Sequence, residues 1–128
     1  MLEPRKSEPK MRNSNGYRNF IAWQKANFLA HFIYNITQKF PKEELFGLTS
    51  QMRRCALSVC ANIAEGYSRK TSRDKGNFYH IAIGSLTELE FFIDFAFERK
   101  YITQSDYVKV LPIHIETAKV LRGLLKAT

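Results

Sequence analysis

The feature that most constrains this chain is the interval between its apolar residues, which alternates between three and four through four separate stretches and nowhere settles to two. From about Asn19 to Phe40, residues Trp23, Ala26, Ala30, Ile33, Thr37 and Phe40 line one side of a helix, and Pro41 ends it. After the break PKEELFG, residues Leu48, Met52, Cys55, Val59 and Ile63 repeat the spacing as far as Gly66, a favoured position for a left-handed helix end. Thr71 and Asp74, three apart like a capping box, open a third stripe through Phe78, Ala82, Ser85, Leu89, Phe92 and Ala96. Thr103 and Asp106 open a fourth, through Val108, Leu111, Ile115, Ala118 and Leu125. Pro112 falls inside this last pattern, where it removes a backbone hydrogen bond and clashes with the preceding turn at a cost of about 3 kcal/mol. A kink or a late helix start is expected there. Short connections favour antiparallel neighbours, so the prediction is an all-α, antiparallel up-down four-helix bundle over residues 17–128.

A chain of 128 residues is one domain with one core. Residues 1–16 hold Pro4, Pro9, Asn13, Asn15 and Gly16 without apolar periodicity, and read as a flexible basic tail carrying Arg5, Lys6, Lys10 and Arg12. No apolar run approaches the roughly 18 residues of a membrane span, and the N-terminus lacks the apolar stretch of a secretion signal. A cytoplasmic protein with no membrane partner is expected. Cys55 and Cys60, five apart on a helix, point in different directions and fit no zinc or redox spacing, so both read as small buried hydrophobes. His31, His80 and His114 fall on three helices without the i, i+4 pairing of a helical metal site. Ser58 and Ser85 have no His or carboxylate beside them in sequence to make a nucleophile pair. No catalytic, metal-binding or cofactor-binding residue is assigned, and the expectation is a protein that is not an enzyme.

Several ordered segments carry a resemblance: W-Q-K-A at 23–26, F-P-K-E at 40–43, G-L-T-S-Q-M-R-R at 47–54, N-I-A-E-G at 62–66 and G-S-L-T-E-L-E at 84–90. Together they resemble the bacterial four-helix bundle family of the 23S rRNA intervening-sequence proteins, over roughly residues 17–125. That family is similar in fold to the accessory variability proteins of diversity-generating retroelements, which form ring-like pentamers and associate with a reverse transcriptase and nucleic acid. The resemblance therefore implies a homo-oligomer, a cyclic pentamer, with RNA or another nucleic acid and a reverse transcriptase as partner classes. It supplies no catalytic residues. Two departures stand out: Cys60 occupies a position where many members carry proline, and Pro112 lies near the start of the fourth helix.

The motif residues also have a physical reading. Folding the second helix back on the third about Arg69 sets Cys55 opposite Gly84 and Arg54 opposite Ser85, with Ala56, Ser58, Ala61, Ala82, Gly84 and Ser85 allowing close approach. Glu88 then pairs with Arg54 or Arg53 inside or at the edge of the bundle, while Asn62 and Glu65 bond exposed backbone groups around the loop. Apolar residues lie off the main stripes at Phe28, Phe32, Phe91 and Phe95, and a second line on the fourth helix runs through Val110, Ile113, Val120, Leu121 and Leu124. A helix apolar on two sides is usually buried on two sides, so Phe28, Phe32, Phe91, Phe95, Val110, Ile113, Leu121 and Leu124 are candidates for an oligomer interface.

Charge is the remaining signal. A formal +8 favours polyanions, whose condensed counterions are released by Lys and Arg. Arg69, Lys70, Arg73 and Lys75 crowd the second loop, whereas Glu88, Glu90, Asp94 and Glu98 make the rest of the third helix acidic. Two function classes follow: an oligomeric nucleic-acid scaffold holding structured RNA or an RNA/DNA hybrid through its basic loops, or a protein adaptor that docks a partner such as a reverse transcriptase.

Overall fold

The computed structural model describes residues 16–128; the expected tail, apart from Gly16, and its cations Arg5, Lys6, Lys10 and Arg12 lie outside the described residues. Four α-helices follow one another up and down: α1 (Ile21–Thr37), α2 (Leu48–Ser68), α3 (Ser72–Glu98) and α4 (Gln104–Ala127). The remaining regular structure is two single 3₁₀ turns, Tyr17–Asn19 and Lys42–Glu44, and there is no strand among the described residues. The bundle expected from the spacing is the bundle observed.

Helix boundaries follow local chemistry. Thr71 Oγ1 accepts the Asp74 N–H at 3.1 Å and Thr103 Oγ1 accepts that of Asp106 at the same distance, each satisfying one of the free donors at a helix start. Glu44 performs a comparable service for α2, accepting the Leu48 N–H at 3.2 Å. The left-handed helix end lies at Lys100, with φ 64°, and not at Gly66. There the Tyr101 N–H reaches the Ala96 carbonyl and the Lys100 N–H reaches that of Phe97, both at 2.9 Å, the paired closure of a Schellman motif.

Gly66 has a different job. Helix α2 continues past it to Ser68, and a Cβ built on Gly66 would stand 2.5 Å from Cε1 of the buried Tyr79 ring. The glycine is there so that α3 can press an aromatic ring onto the α2 backbone. Gly84, expected at the close approach, meets nothing within 4 Å and faces solvent. Cross-helix contacts pair Arg54 with Glu88 and Ser58 with Ser85, so the true register lies about one turn from the expected one.

The core confirms the stripes of α1 and α2 residue by residue, from Trp23 to Phe40 and from Leu48 to Ile63. On α3, Ala82, Ser85, Leu89 and Ala96 are buried as expected, but Tyr79 and Ile93 take the core places assigned to Phe78 and Phe92. On α4 the expected face is largely wrong. Val108 and Ile115 are exposed, and the buried line is Val110, His114, Thr117, Ala118 and Leu121. Two polar residues in that line have backbone partners: His114 Nε2 lies 2.7 Å from the Leu86 carbonyl oxygen, and Thr117 Oγ1 donates to the Ile113 carbonyl at 2.8 Å. Buried polar groups with hydrogen bonds cost little. Pro112 sits inside α4 on its exposed side, and the helix starts before it at Gln104, so the late start does not occur.

Candidate nucleic-acid interface

One end of the bundle gathers the α2–α3 connection, the start of α1 and the end of α4. Contacts fix this assembly: the Phe20 and Tyr67 rings meet edge-on at 4.7 Å, and a Cβ on Gly76 would touch Leu125 at 3.8 Å. Among the described residues, the half of the bundle at this end holds nine cations (Arg18, Lys25, Arg69, Lys70, Arg73, Lys75, Lys119, Arg122 and Lys126) against three carboxylates (Glu65, Asp74 and Glu116). The other half balances seven against seven. The excess positive charge of the described bundle is therefore segregated to one end.

The four cations singled out from sequence divide into two kinds. Arg69 hydrogen-bonds Glu65 one turn back, with its guanidinium carbon 4.8 Å from the Phe78 ring centre. Lys75 donates to the Tyr67 carbonyl at 2.9 Å and the Gly66 carbonyl at 3.4 Å, placing its charge on the carboxyl end of α2. That position suits a cation twice over, through the hydrogen bonds and through the helix dipole. Lys70 and Arg73 are exposed and hold no partner among the described residues. Sequence reasoning missed Lys119, Arg122 and Lys126, which lie more than forty residues away and join this end only because α4 runs back alongside α3. Their three- and four-residue spacing on α4 was the available signal.

The polar motif resolves into structural contacts. Arg54 Nη2 reaches Glu88 Oε2 at 2.9 Å, and with side chains 52% and 45% exposed the pair lies at the edge of the bundle, screened by water. Arg53 turns the other way, donating to Thr37 Oγ1 at 2.9 Å and lying 4.6 Å from the Tyr34 ring centre. Neighbouring arginines thus tie α2 to α3 and to α1 respectively. Asn62 does not bond the loop: its Nδ2 donates to the Ser58 carbonyl and hydroxyl, and that hydroxyl meets Ser85 Oγ at 2.8 Å. Glu65 bonds the Arg69 side chain and not a backbone group.

Of the eight candidate interface residues, Val110 and Leu121 are completely buried within the chain, and Phe32, Ile113 and Leu124 pack partly against its own core. They form the inner face of α4 and the flank of α1, so Val110 and Leu121 offer nothing to another molecule. Phe28 and Phe91, both 61% exposed, and Phe95 remain outward, with the Phe91 and Phe95 rings 6.1 Å apart. Phe46, 94% exposed in the α1–α2 connection, is a further outward aromatic that the spacing argument overlooked.

Each titratable group with a shift among the described residues is held toward its protonated form. Burial, reinforced by contact with Glu88, pushes the Cys55 thiol up to about 12, and burial pushes Cys60 up to about 11. A thiol that stays protonated is a poor nucleophile. The hydrogen bond to Asp94 at 2.7 Å raises Tyr107. Among the described residues no group of three His, Cys, Asp or Glu side chains could hold a metal ion, and no helix is long and apolar enough to cross a membrane.

A family model described as 23S rRNA-intervening sequence protein matches residues 18–123. Among solved structures, the chain is similar to a protein of unknown function from the S23 ribosomal protein family of Bacteroides thetaiotaomicron, at 25% identity and a TM-score of 0.76, over 83% of this chain and 96% of that one. Among curated proteins nothing matches.

Proposed function

Because the chain belongs to the family of 23S rRNA-intervening sequence proteins, we propose that it is a non-enzymatic, oligomeric scaffold for nucleic acid, contacting structured RNA or an RNA/DNA hybrid through phosphates at its basic end. The observation that carries this reading is the segregation of nine cations against three carboxylates into one half of the bundle. Lys70 and Arg73, free of partners among the described residues, with Lys119, Arg122 and Lys126 on α4, make the contact surface. Arg69 and Lys75 shape it by fixing the end of α2. Contacts of this kind position a backbone without reading bases, so binding is weakly sequence-selective and strongly salt-dependent.

The outward aromatics Phe28, Phe91 and Phe95 support self-association, in a cyclic homo-oligomer and by the family resemblance a pentamer, working in the cytoplasm. In a ring the basic ends repeat around one rim, and several weak contacts act together. Phe91 and Phe95, on the same helix as Glu88 and Glu98, favour a second reading: a protein adaptor for a partner such as a reverse transcriptase.

The test is binding of nuclease-treated protein to structured RNA and duplex DNA across a salt series, with mass recorded by light scattering in the same buffers. The expected result is affinity that falls steeply with salt and falls again in a Lys70→Ala, Arg73→Ala, Lys126→Ala variant. An intact oligomer that binds nothing at low salt would overturn the reading and leave the adaptor.

A further inference from the structure

Helices α3 and α4 do not close on each other along their whole length. Between them lies a half-open cavity of about 120 Å³, with Ile83 and Leu86 on one wall and Ile115 and Ala118 on the other. His114 lines it from within, its orientation fixed by the Leu86 carbonyl 2.7 Å from Nε2. Because the helices run antiparallel, Glu90 and Arg122 stand at opposite ends of the slot, and neither has a hydrogen-bond or ion-pair partner among the described residues. A carboxylate and a guanidinium without partners among the described residues, in a slot that combines the apolar Ile83, Leu86, Ile115 and Ala118 with the polar Thr87 and His114, form a recognition pattern for a flat, two-edged polar ring. The volume is well below the roughly 300–1,000 Å³ of drug-sized pockets, and suits a single ring system.

We propose that this slot captures one unstacked guanine base of a bound RNA, an assignment that rests on the nucleic-acid reading above. Guanine is the base that presents two adjacent donors, N1–H and the N2 amine, to a carboxylate and two adjacent acceptors, O6 and N7, to a guanidinium. Glu90 takes the first edge and Arg122 the second, each in paired geometry. Ile115 and Ile83 cover the ring faces, as apolar and aromatic side chains do for bases taken out of the stack. Cytosine lacks the paired donors, and adenine and uracil lack both paired edges. Arg122 also belongs to the basic end, so a strand whose phosphates lie there brings its bases to the mouth of the slot.

The test uses the full chain and four probes: a nine-nucleotide oligouridine, the same oligomer with one central guanosine, the same with one central adenosine, and guanosine monophosphate. The expected result is a preference of about tenfold for the guanosine oligomer over the other two. Glu90→Gln should erase that preference while leaving oligouridine binding unchanged or tighter, because a phosphate strand gains when a carboxylate is removed. Gln opposes an amine to the guanine N2 amine, and the exposed position makes misfolding an unsuitable explanation for its effect. Ala118→Leu, which fills the slot from the α4 side, should erase the preference as well. Equal, salt-sensitive binding of all three oligomers would overturn the base slot and leave the phosphate reading standing. Absence of binding to any oligomer at low salt would overturn both. Guanosine monophosphate bound as tightly as the oligomer would overturn RNA as the source of the base.

Discussion

Helix α3 is packed in two contrasting ways. Toward α2 it makes a tight seam: the Tyr79 ring lies on the bare backbone of Gly66, the Ser58 and Ser85 hydroxyls bond each other, and Arg54 closes on Glu88. Toward α4 it makes an open one, with a cavity at Ala118 and charged groups at its ends that have not found each other. Of the segments that made the family resemblance legible, Gly66 of N-I-A-E-G and Ser85 and Glu88 of G-S-L-T-E-L-E serve the tight seam, while Leu86, Thr87 and Glu90 of the latter line the open one. Their residue types answer to packing. The side chains with chemistry to spare lie on the open side, Glu90 at the end of G-S-L-T-E-L-E and Arg122 outside every such segment.

The contrast can be broken by enlargement. Ala82 is fully buried one turn from Ser85, so Ala82→Leu overpacks a filled site and should cost about 3 kcal/mol, whereas Ala118→Leu enters existing space and should change stability by less than about 1 kcal/mol. Chemical denaturation of both variants checks this, and equal losses would erase the distinction between the seams.

A glycine pair sharpens it. Gly66→Ala must push a buried ring aside and should cost about 1–3 kcal/mol. Gly84→Ala adds a methyl to open solvent in mid-helix and should stabilise by about 0.5–1 kcal/mol through helix propensity. Their melting temperatures should move in opposite directions. Smaller still is the hydroxyl pair: Ser58→Ala or Ser85→Ala alone should cost about 1 kcal/mol, and the double variant less than the two added together, because removing both partners leaves nothing unpaired. Smallest is Glu88→Ala, whose half-exposed ion pair should be worth under about 1 kcal/mol in thermal unfolding, declining with salt.

These magnitudes rest on packing that the sequence revealed only in part. The stripes of α1 and α2 were legible because Trp23, Met52, Val59 and Ile63 fall on runs whose three- and four-residue interval is unbroken. Helix α4 offered two apolar lines, and the inner one was disguised by His114 and Thr117, which look unsuited to a core until the carbonyls of Leu86 and Ile113 are seen beside them. Hydrophobic periodicity counts residue types and cannot see a backbone acceptor supplied by another helix. The charge cluster at Arg69 to Lys75 was legible as composition, but its division into an internal cap and a free surface depends on where the end of α2 exposes its carbonyls. Likewise the Glu90 and Arg122 pair is separated by a turn and most of a helix, and no local pattern connects them.

The lopsided charge of the bundle also has a kinetic meaning. A rod with its surplus cations at one tip carries a large permanent dipole moment along its length. In the field of a polyanion it experiences a torque before it experiences a contact, and it turns so that the cationic tip leads. On the proposed nucleic-acid reading, productive encounters then need no lengthy rotational search, and the asymmetry hastens association. The opposite tip, with Phe46 exposed and its charges balanced, trails outward, left free to meet whatever arrives next.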